Sequence, residues 1–230
     1  MVSDECLSPS VCLLYLADHG QVWDVAFEPG KPDVVATCGG KFICVFNLET
    51  SALLRKYEHM ETQDFYSISW SSLDFGNILA SGSNEGEVRL YDMDRAVNFS
   101  RWTGRKRVAI NAVQFHSEEA CWLFTASKVR AFIPSAPTRA SYQDGVICLW
   151  DIGHPSPPTY SQVQHTALLK LNFAGSDKDI YSMAWVAGTG SGWILVGSMD
   201  GVAGWRISSR KAKEEKFPRS RPVQVEFRYV

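Results

Sequence analysis

The sequence predicts an all-β protein built from four copies of one strand pattern. The third strand of each copy carries an aromatic residue near its end, and these residues are Phe46, Tyr91, Trp150 and Trp205. Phe46 and Tyr91 lie 45 residues apart (91 − 46), which is the length of a four-stranded propeller blade. We therefore expect a β-propeller of about four blades, with these four residues and Asp151 as the anchors of the repeat.

Each copy has the same internal order of strands. The first strand alternates and contains an aromatic, at 22–27, 66–70, 110–115 and 180–185. The second strand is rich in small residues, at 34–39, 78–83, 123–127 and 194–198. Small residues suit this place because neighbouring blades pack face to face. Gly, Asn and Asp between the strands favour tight hairpins, so 34–39 should pair with 43–48, and 78–83 with 88–92.

The domain prediction follows from this period. We expect a disordered tail over 1–10 and a partial propeller over 11–230, with blades at 22–60, 64–103, 108–165 and 179–230. Tyr91 and Trp150 are 59 residues apart (150 − 91), and the excess falls in 128–141, which contains two prolines and no alternation. A binding loop, a tolerated surface insertion and translated intron sequence are the alternatives, and the last two are favoured because insertions at hairpin tips cost little.

The two ends of the repeat array keep apolar alternation. Segments 11–16 and 223–230 both have the pattern of strands, and neither carries the polar cap of a terminal repeat. We expect an incomplete ring that exposes one apolar blade face at each end. Such an arc should aggregate, dimerise or need a partner that completes the ring.

Composition narrows the function classes. The 230 residues are 45% hydrophobic, with a net charge of −2, so the charge bias of a nucleic-acid binder is missing and no sequence-specific DNA binding is expected. Basic residues cluster at 101–107 and 210–221; phosphate contacts or a nuclear import signal are alternatives to solvated loops, which we favour. The six cysteines lack a C-x-x-C pair and indicate reduced thiols of an intracellular protein.

Catalytic and metal motifs are not recognisable in the sequence. The glycine-rich segment 188–192 precedes a predicted strand rather than a helix, so it favours a hairpin over a phosphate loop. The five histidines are scattered without metal-ligand spacing, and no nucleophile has a recognisable base beside it. Segment 11–17 is too short to span a membrane. We predict a protein that is not an enzyme and has no cofactor, no metal and no membrane partner.

The Trp150-Asp151 pair is the one that names the WD40 repeat family, and the chain resembles that family. The Gly-His pair typical of these repeats is missing, since 104–107 before the third copy reads Gly-Arg-Lys-Arg. The hydrogen-bonded His–Asp network of regular WD repeats is thus expected to be mostly absent. The blades should be held mainly by apolar packing.

A closer resemblance rests on 22–29, 34–40, 123–127 and 150–153, which are similar to the WD region of the leucine-rich repeat and WD repeat-containing proteins, also called origin recognition complex-associated proteins. The chain lacks their leucine-rich repeats and holds about four blades. The resemblance implies a nuclear chromatin scaffold that recognises trimethyl-lysine histone tails and joins the origin recognition complex, in heterochromatin organisation and replication initiation. The alternative is a generic WD40 scaffold for protein partners, without methyl-lysine recognition.

The strand order also resembles the Polycomb propellers of the embryonic ectoderm development family, which hold trimethyl-lysine in an aromatic cage. By motif, two cage positions match Trp23 and Tyr66, and the other cage aromatics belong to a late blade that this chain lacks. A quaternary ammonium has no N–H group and is held by ring faces, at about 0.5–2 kcal/mol each. The resemblance implies that Trp23 and Tyr66 lie on adjacent blades at one channel mouth, partly open. The alternative is ordinary packing between blades.

Overall fold

A computed structural model of the chain describes residues 21–59, 63–72, 76–103, 108–117, 119, 121–127, 145–153, 166–172, 180–186, 192–198, 201–207 and 225–226. This part of the chain contains sixteen strands and no helix. The strands form four antiparallel sheets, each of four consecutive strands. The prediction of an all-β propeller with four blades is therefore confirmed.

The strands follow one another as four meanders. Blade 1 consists of β1 (Asp24–Glu28), β2 (Lys31–Gly39), β3 (Phe42–Asn47) and β4 (Ala52–Glu58). Blade 2 consists of β5 (Phe65–Trp70), β6 (Ile78–Ser83), β7 (Glu87–Asp92) and β8 (Val97–Thr103). Blade 3 consists of β9 (Ile110–Phe115), β10 (Trp122–Ser127), β11 (Val146–Asp151) and β12 (Thr166–Asn172). Blade 4 consists of β13 (Ile180–Val186), β14 (Gly192–Ser198), β15 (Gly201–Ile207) and β16 (Val225–Glu226).

The end of blade 3 differs from the prediction. Its fourth strand, Thr166–Asn172, pairs with Val146–Asp151 and lies wholly beyond the predicted end at residue 165. The strand lies beyond the predicted limit because the connection between the third and fourth strands of this blade is long, from Asp151 to Thr166. The predicted tail 1–10, strand 11–16, insert 128–141 and basic segment 210–221 lie outside the described residues.

The first strand of each blade is innermost. Neighbouring first strands contact one another in the order β1, β5, β9 and β13, and the sheets that the described residues form do not close into a ring. The fourth strands β4 and β8 are largely exposed to solvent, which places them at the outer rim. The four first strands therefore line one side of a common channel, and side chains on them face a shared space.

The anchor residues occupy one register position. Phe46, Tyr91, Trp150 and Trp205 pair with Val35, Leu79, Leu123 and Ile194 at the same place in their hairpins. Phe46, Tyr91 and Trp205 are buried, whereas Trp150 and Asp151 are partly exposed. The small residues of the second strands, such as Ala36 and Ala80, are fully buried. The blades thus pack closely through their second strands, which are rich in small residues.

Polar contacts survive beside this apolar packing. His59 and Glu87 are both buried, with His59 Nε2 lying 3.3 Å from Glu87 Oε2. Arg89 donates to Glu87 Oε2 at 2.9 Å and also contacts His59. In blade 3, Trp150 Nε1 donates to Thr125 Oγ1 at 2.9 Å. The expected loss of the polar network is therefore incomplete, because His59 keeps an acidic partner, Glu87, in blade 2.

Candidate functional site

A recurrent β-bulge marks the channel end of the first strands. The register between first and second strands skips one residue in three blades, and the extra residues are Tyr66, Asn111 and Tyr181. In blade 1, Trp23 N donates to the carbonyl of Cys38, the residue that also pairs with Asp24. A bulge leaves its extra residue unpaired and redirects its side chain. Trp23, Tyr66, Asn111 and Tyr181 therefore occupy equivalent positions around the channel.

These four residues line a cleft of about 490 Å³, here called the channel cleft. Its walls come from all four first strands and their neighbouring residues: Trp23, Asp24, Ala26, Phe27, Pro29, Tyr66, Ser67, Ile68, Ser69, Trp70, Asn111, Ala112, Val113, Gln114, Tyr181, Ser182 and Met183. Asp24 carries the charge in this lining, and every other lining side chain is neutral. The cleft therefore combines aromatic surface with one negative charge, a combination that suits a cation.

The two predicted cage residues contact each other. The ring centroids of Trp23 and Tyr66 lie 5.4 Å apart, and their planes meet at 58°. Trp23 is 51% exposed and Tyr66 is partly exposed, so neither ring is buried between the blades. The two rings lie on adjacent blades, are tilted against each other and both line the channel cleft.

Tyr181 is a further aromatic of the cleft that the sequence analysis did not select. It is 54% exposed and lines the same cleft as Trp23 and Tyr66. The signal was present in the spacing: Tyr181 lies four residues before Trp185, as Tyr66 lies four residues before Trp70. The family resemblance pointed only to Trp23 and Tyr66, and this spacing is the signal that identifies Tyr181.

The carboxylate of Asp24 is held in place from both sides. Its Oδ2 atom accepts from Ser67 Oγ at 2.8 Å and from Ile68 N at 3.0 Å, and its Oδ1 atom accepts from Val25 N at 2.8 Å. Hydrogen bonds to a charged acceptor are stronger than those between neutral groups. Asp24 thus joins blade 1 to blade 2 and also sets the charge of the cleft.

Similar side-chain bonds join the later blades. Ser67 Oγ accepts from Val113 N at 3.1 Å, and Ser69 Oγ accepts from Phe115 N at 3.0 Å. Gln114 Oε1 accepts from Trp185 N at 2.8 Å. First strands are sheet edges with unpaired N–H groups, and these groups need acceptors when they are buried. Each blade therefore supplies acceptors to the next, which holds the lining of the channel cleft in a defined register.

Recognisable metal and nucleophile arrangements are missing from the described residues. Among the described residues, no three His, Cys, Asp or Glu side chains group as a metal site. The Ser67 hydroxyl donates to Asp24 with no histidine between them, so it lacks the base of a serine nucleophile. In the same part of the chain, no helix reaches the length and apolarity needed to cross a membrane.

Comparison with known proteins places the chain among WD-repeat proteins. A family model described as the WD domain of leucine-rich repeat and WD repeat-containing protein 1 matches residues 16–227, most of the chain. Proteins of that name from Danio rerio and Xenopus tropicalis are 31% and 30% identical over 151 and 148 residues. The Mus musculus protein is 31% identical over 169 residues.

The aligned segment is a large share of this chain but a small share of each relative. It covers 58% of this chain and 18% of the Danio rerio protein, and 59% and 19% for Xenopus tropicalis. For Mus musculus it covers 66% of this chain and 23% of the relative. The chain therefore matches less than a quarter of the length of these curated relatives, and the similarity concerns their WD domain.

Proposed function

The chain belongs to the WD-domain family of leucine-rich repeat and WD repeat-containing protein 1, and from that premise we propose that it is a non-enzymatic chromatin scaffold. In this proposal, the channel cleft recognises a trimethylated lysine of a histone tail through Trp23 and Tyr66. The protein acts in the nucleus, where it joins the origin recognition complex in heterochromatin organisation and replication initiation. The WD-repeat scaffold itself follows from the family.

The observation that carries the proposal is the open, tilted pair of Trp23 and Tyr66 beside Asp24. A trimethylammonium group cannot donate hydrogen bonds, so it is selected by ring faces and by a negative field rather than by acceptors. Each desolvated ring is worth about 0.5–2 kcal/mol, so loss of one ring should weaken binding by about 2- to 30-fold. The carboxylate adds attraction for the cation without distinguishing its methylation state.

Histone peptides that differ only in the methylation of one lysine test this function. Wild-type protein should bind the trimethyl form more tightly than the unmodified form by isothermal calorimetry. Trp23→Ala should remove that preference and leave the affinity for the unmodified peptide unchanged. Phe99→Ala, which truncates a partly buried aromatic on the outer strand β8, is the matched control and should keep the preference.

The generic-scaffold alternative makes a different prediction for the same titration. If wild-type protein binds all methylation states equally, the channel cleft does not read methylation and the alternative holds. The link to the origin recognition complex is tested separately, by co-purification of the chain with recombinant subunits of that complex. Failure to co-purify, with methyl-lysine binding intact, would reject only this partner.

A further inference from the structure

The three junctions between neighbouring blades differ at one register position. Asp24 supplies an acceptor to Ile68 N, and Ser67 supplies one to Val113 N. The equivalent residue of blade 3 is Ala112, since Asp24, Ser67 and Ala112 pair with Cys38, Gly82 and Ala126 at the same place in their hairpins. A methyl group cannot accept a hydrogen bond. The third junction therefore lacks the acceptor that the first two possess.

The donor opposite Ala112 is the main-chain N–H of Met183. Trp185 N donates to Gln114 of blade 3, so it points away from its partner strand β14. N–H groups two residues apart on a strand point to the same side, so Met183 N–H also faces blade 3. Within the described ranges, no atom accepts this N–H from that side.

Two side-chain bonds frame this position. On one side Asn111 Nδ2 donates to Ile180 O at 2.7 Å, and on the other Gln114 accepts from Trp185 N. Ala112 lies between them, and it lines the channel cleft together with Met183. We call the space over Ala112 and Met183 the Ala112 window. Both residues line the same cleft that holds the aromatic pair.

We propose that the Ala112 window is a second subsite of the channel cleft, where Met183 N–H donates to a main-chain carbonyl of the bound peptide. The proposal rests on peptide binding in this cleft, as proposed above. A neutral carbonyl suits the window because the charged lining residue, Asp24, is negative and disfavours a carboxylate ligand. Every peptide carries such carbonyls, so this contact contributes affinity without reading methylation.

The variant Ala112→Ser tests the subsite by filling it from within. Ser67 shows that a serine at this register position accepts the facing N–H, at 3.1 Å. Ala112→Ser should weaken binding of trimethylated and unmodified peptides alike, by about 3- to 10-fold, the value of one neutral hydrogen bond. Ala203→Ser is the matched control, because Ala203 is 5% exposed, close to the 6% of Ala112, and lies outside the cleft lining.

Amide hydrogen exchange supplies a second measurement. Met183 N–H should exchange more slowly in unliganded Ala112→Ser than in wild type, and more slowly in wild type when saturating peptide is added. If Ala112→Ser does not fold, the peptide-dependent protection in wild type decides. The subsite proposal would be wrong if peptide binding left the exchange rate of Met183 N–H unchanged, or if a folded Ala112→Ser bound peptide as tightly as wild type. The N–H group would then be hydrated.

The two proposals fail in different ways. If Trp23→Ala does not alter the preference for trimethyl-lysine, methyl reading is wrong, while a parallel loss of affinity in Ala112→Ser still supports the window. If Trp23→Ala removes the preference and Ala112→Ser binds like wild type, methyl reading stands and the window is wrong.

Discussion

The junction between blades 1 and 2 and the junction between blades 3 and 4 use equivalent positions differently. At the first junction, Asp24 accepts from Ile68 N, and Trp70 Nε1 donates to Ala26 O at 3.0 Å. At the last, the methyl side chain of Ala112 offers no acceptor, and the buried Nε1 of Trp185 finds no partner among the described residues. The last junction keeps its bonds from Asn111 to Ile180 O and from Trp185 N to Gln114, but it leaves the Trp185 indole N–H without a partner among the described residues, which the first junction does not do for Trp70.

Aromatic stacking takes over at the last junction. The Trp185 ring lies 4.3 Å from the His116 ring and 5.3 Å from the Phe124 ring, measured between centroids. Such pairs add about 0.5–1.5 kcal/mol beyond the area they bury. Ring contacts hold two sheets together without requiring an acceptor for each N–H. Stability and an open donor toward the channel cleft are therefore compatible at this junction.

The largest expected effect comes from the buried indole of the first junction. Trp70 is 7% exposed, so Trp70→Ala should cost about 3–5 kcal/mol of unfolding free energy through the cavity and the lost bond. The equivalent Trp185 is only partly buried, so Trp185→Ala should cost less. Urea unfolding of both variants measures the difference. Equal losses would show that the two junctions are energetically alike.

The carboxylate of the first junction should have the next largest effect. Asp24→Ala removes the acceptor of Ile68 N and should cost about 2 kcal/mol, as expected for a hydrogen bond to a charged group. Asp24→Asn keeps one oxygen acceptor and should recover part of this loss. Thermal unfolding of both variants compares them. An Asp24→Ala protein as stable as wild type would show that this bond does not hold the blades together.

The strands of this fold were predictable because their signals are local. Alternation, small residues and turn residues recur at a fixed period, and the second strands at Val35 and Leu79 formed where the pattern indicated. Strand β12 escaped prediction, since the long connection before it carries it out of the period. Local sequence pattern therefore predicts the order of the strands well, but it predicts the residue at which a blade ends less well.

The site was predictable only in part. Trp23 and Tyr66 came from the resemblance, and no pattern of single residues showed that their rings would lie 5.4 Å apart. The bulge that redirects Tyr66 and Tyr181 depends on the pairing register between strands, which cannot be read from the residues of one strand. The bond from Val113 N to Ser67 depends on the register between two separate sheets, which no pattern within one strand fixes. Contacts between strands and between sheets are therefore established by the three-dimensional structure and not by local sequence pattern.

Blades 2 and 3 offer a smaller comparison of the same kind. Trp150 and Tyr91 occupy equivalent anchor positions, and Trp150 Nε1 donates to Thr125 Oγ1 at 2.9 Å. In blade 2, the Tyr91 hydroxyl and Ser81 Oγ are both buried and make no hydrogen bond of good geometry among the described residues, although Ser81 and Arg89 lie near the hydroxyl. A buried hydroxyl without a partner costs free energy. The indole N–H of Trp150 in blade 3 therefore has a good hydrogen bond, whereas the hydroxyl of Tyr91 in blade 2 does not.

The smallest expected effect is therefore that of Tyr91→Phe, which at neutral pH should change stability by no more than about 1 kcal/mol, in the stabilising direction. Trp150→Phe is its contrast and should destabilise by about 1 kcal/mol, because it leaves Thr125 without its donor. Urea unfolding at neutral pH compares the two. A destabilising Tyr91→Phe would reveal a hydrogen bond made by that hydroxyl.

Alkaline pH should separate Tyr91→Phe from wild type more clearly. Burial raises the pKa of Tyr91 to about 12, from an ordinary 10.0, so the unfolded chain ionises first as the pH rises. The contribution of this neutral phenol to stability is complete below pH 10 and is lost as the pH approaches 12. Tyr91→Phe should therefore lose less stability than wild type between pH 10 and pH 12. It should still lose some stability, because burial also raises the pKa of Tyr57 and of Cys38. Unfolding free energies that fall in parallel for the two proteins would show that Tyr91 ionises at its ordinary pKa.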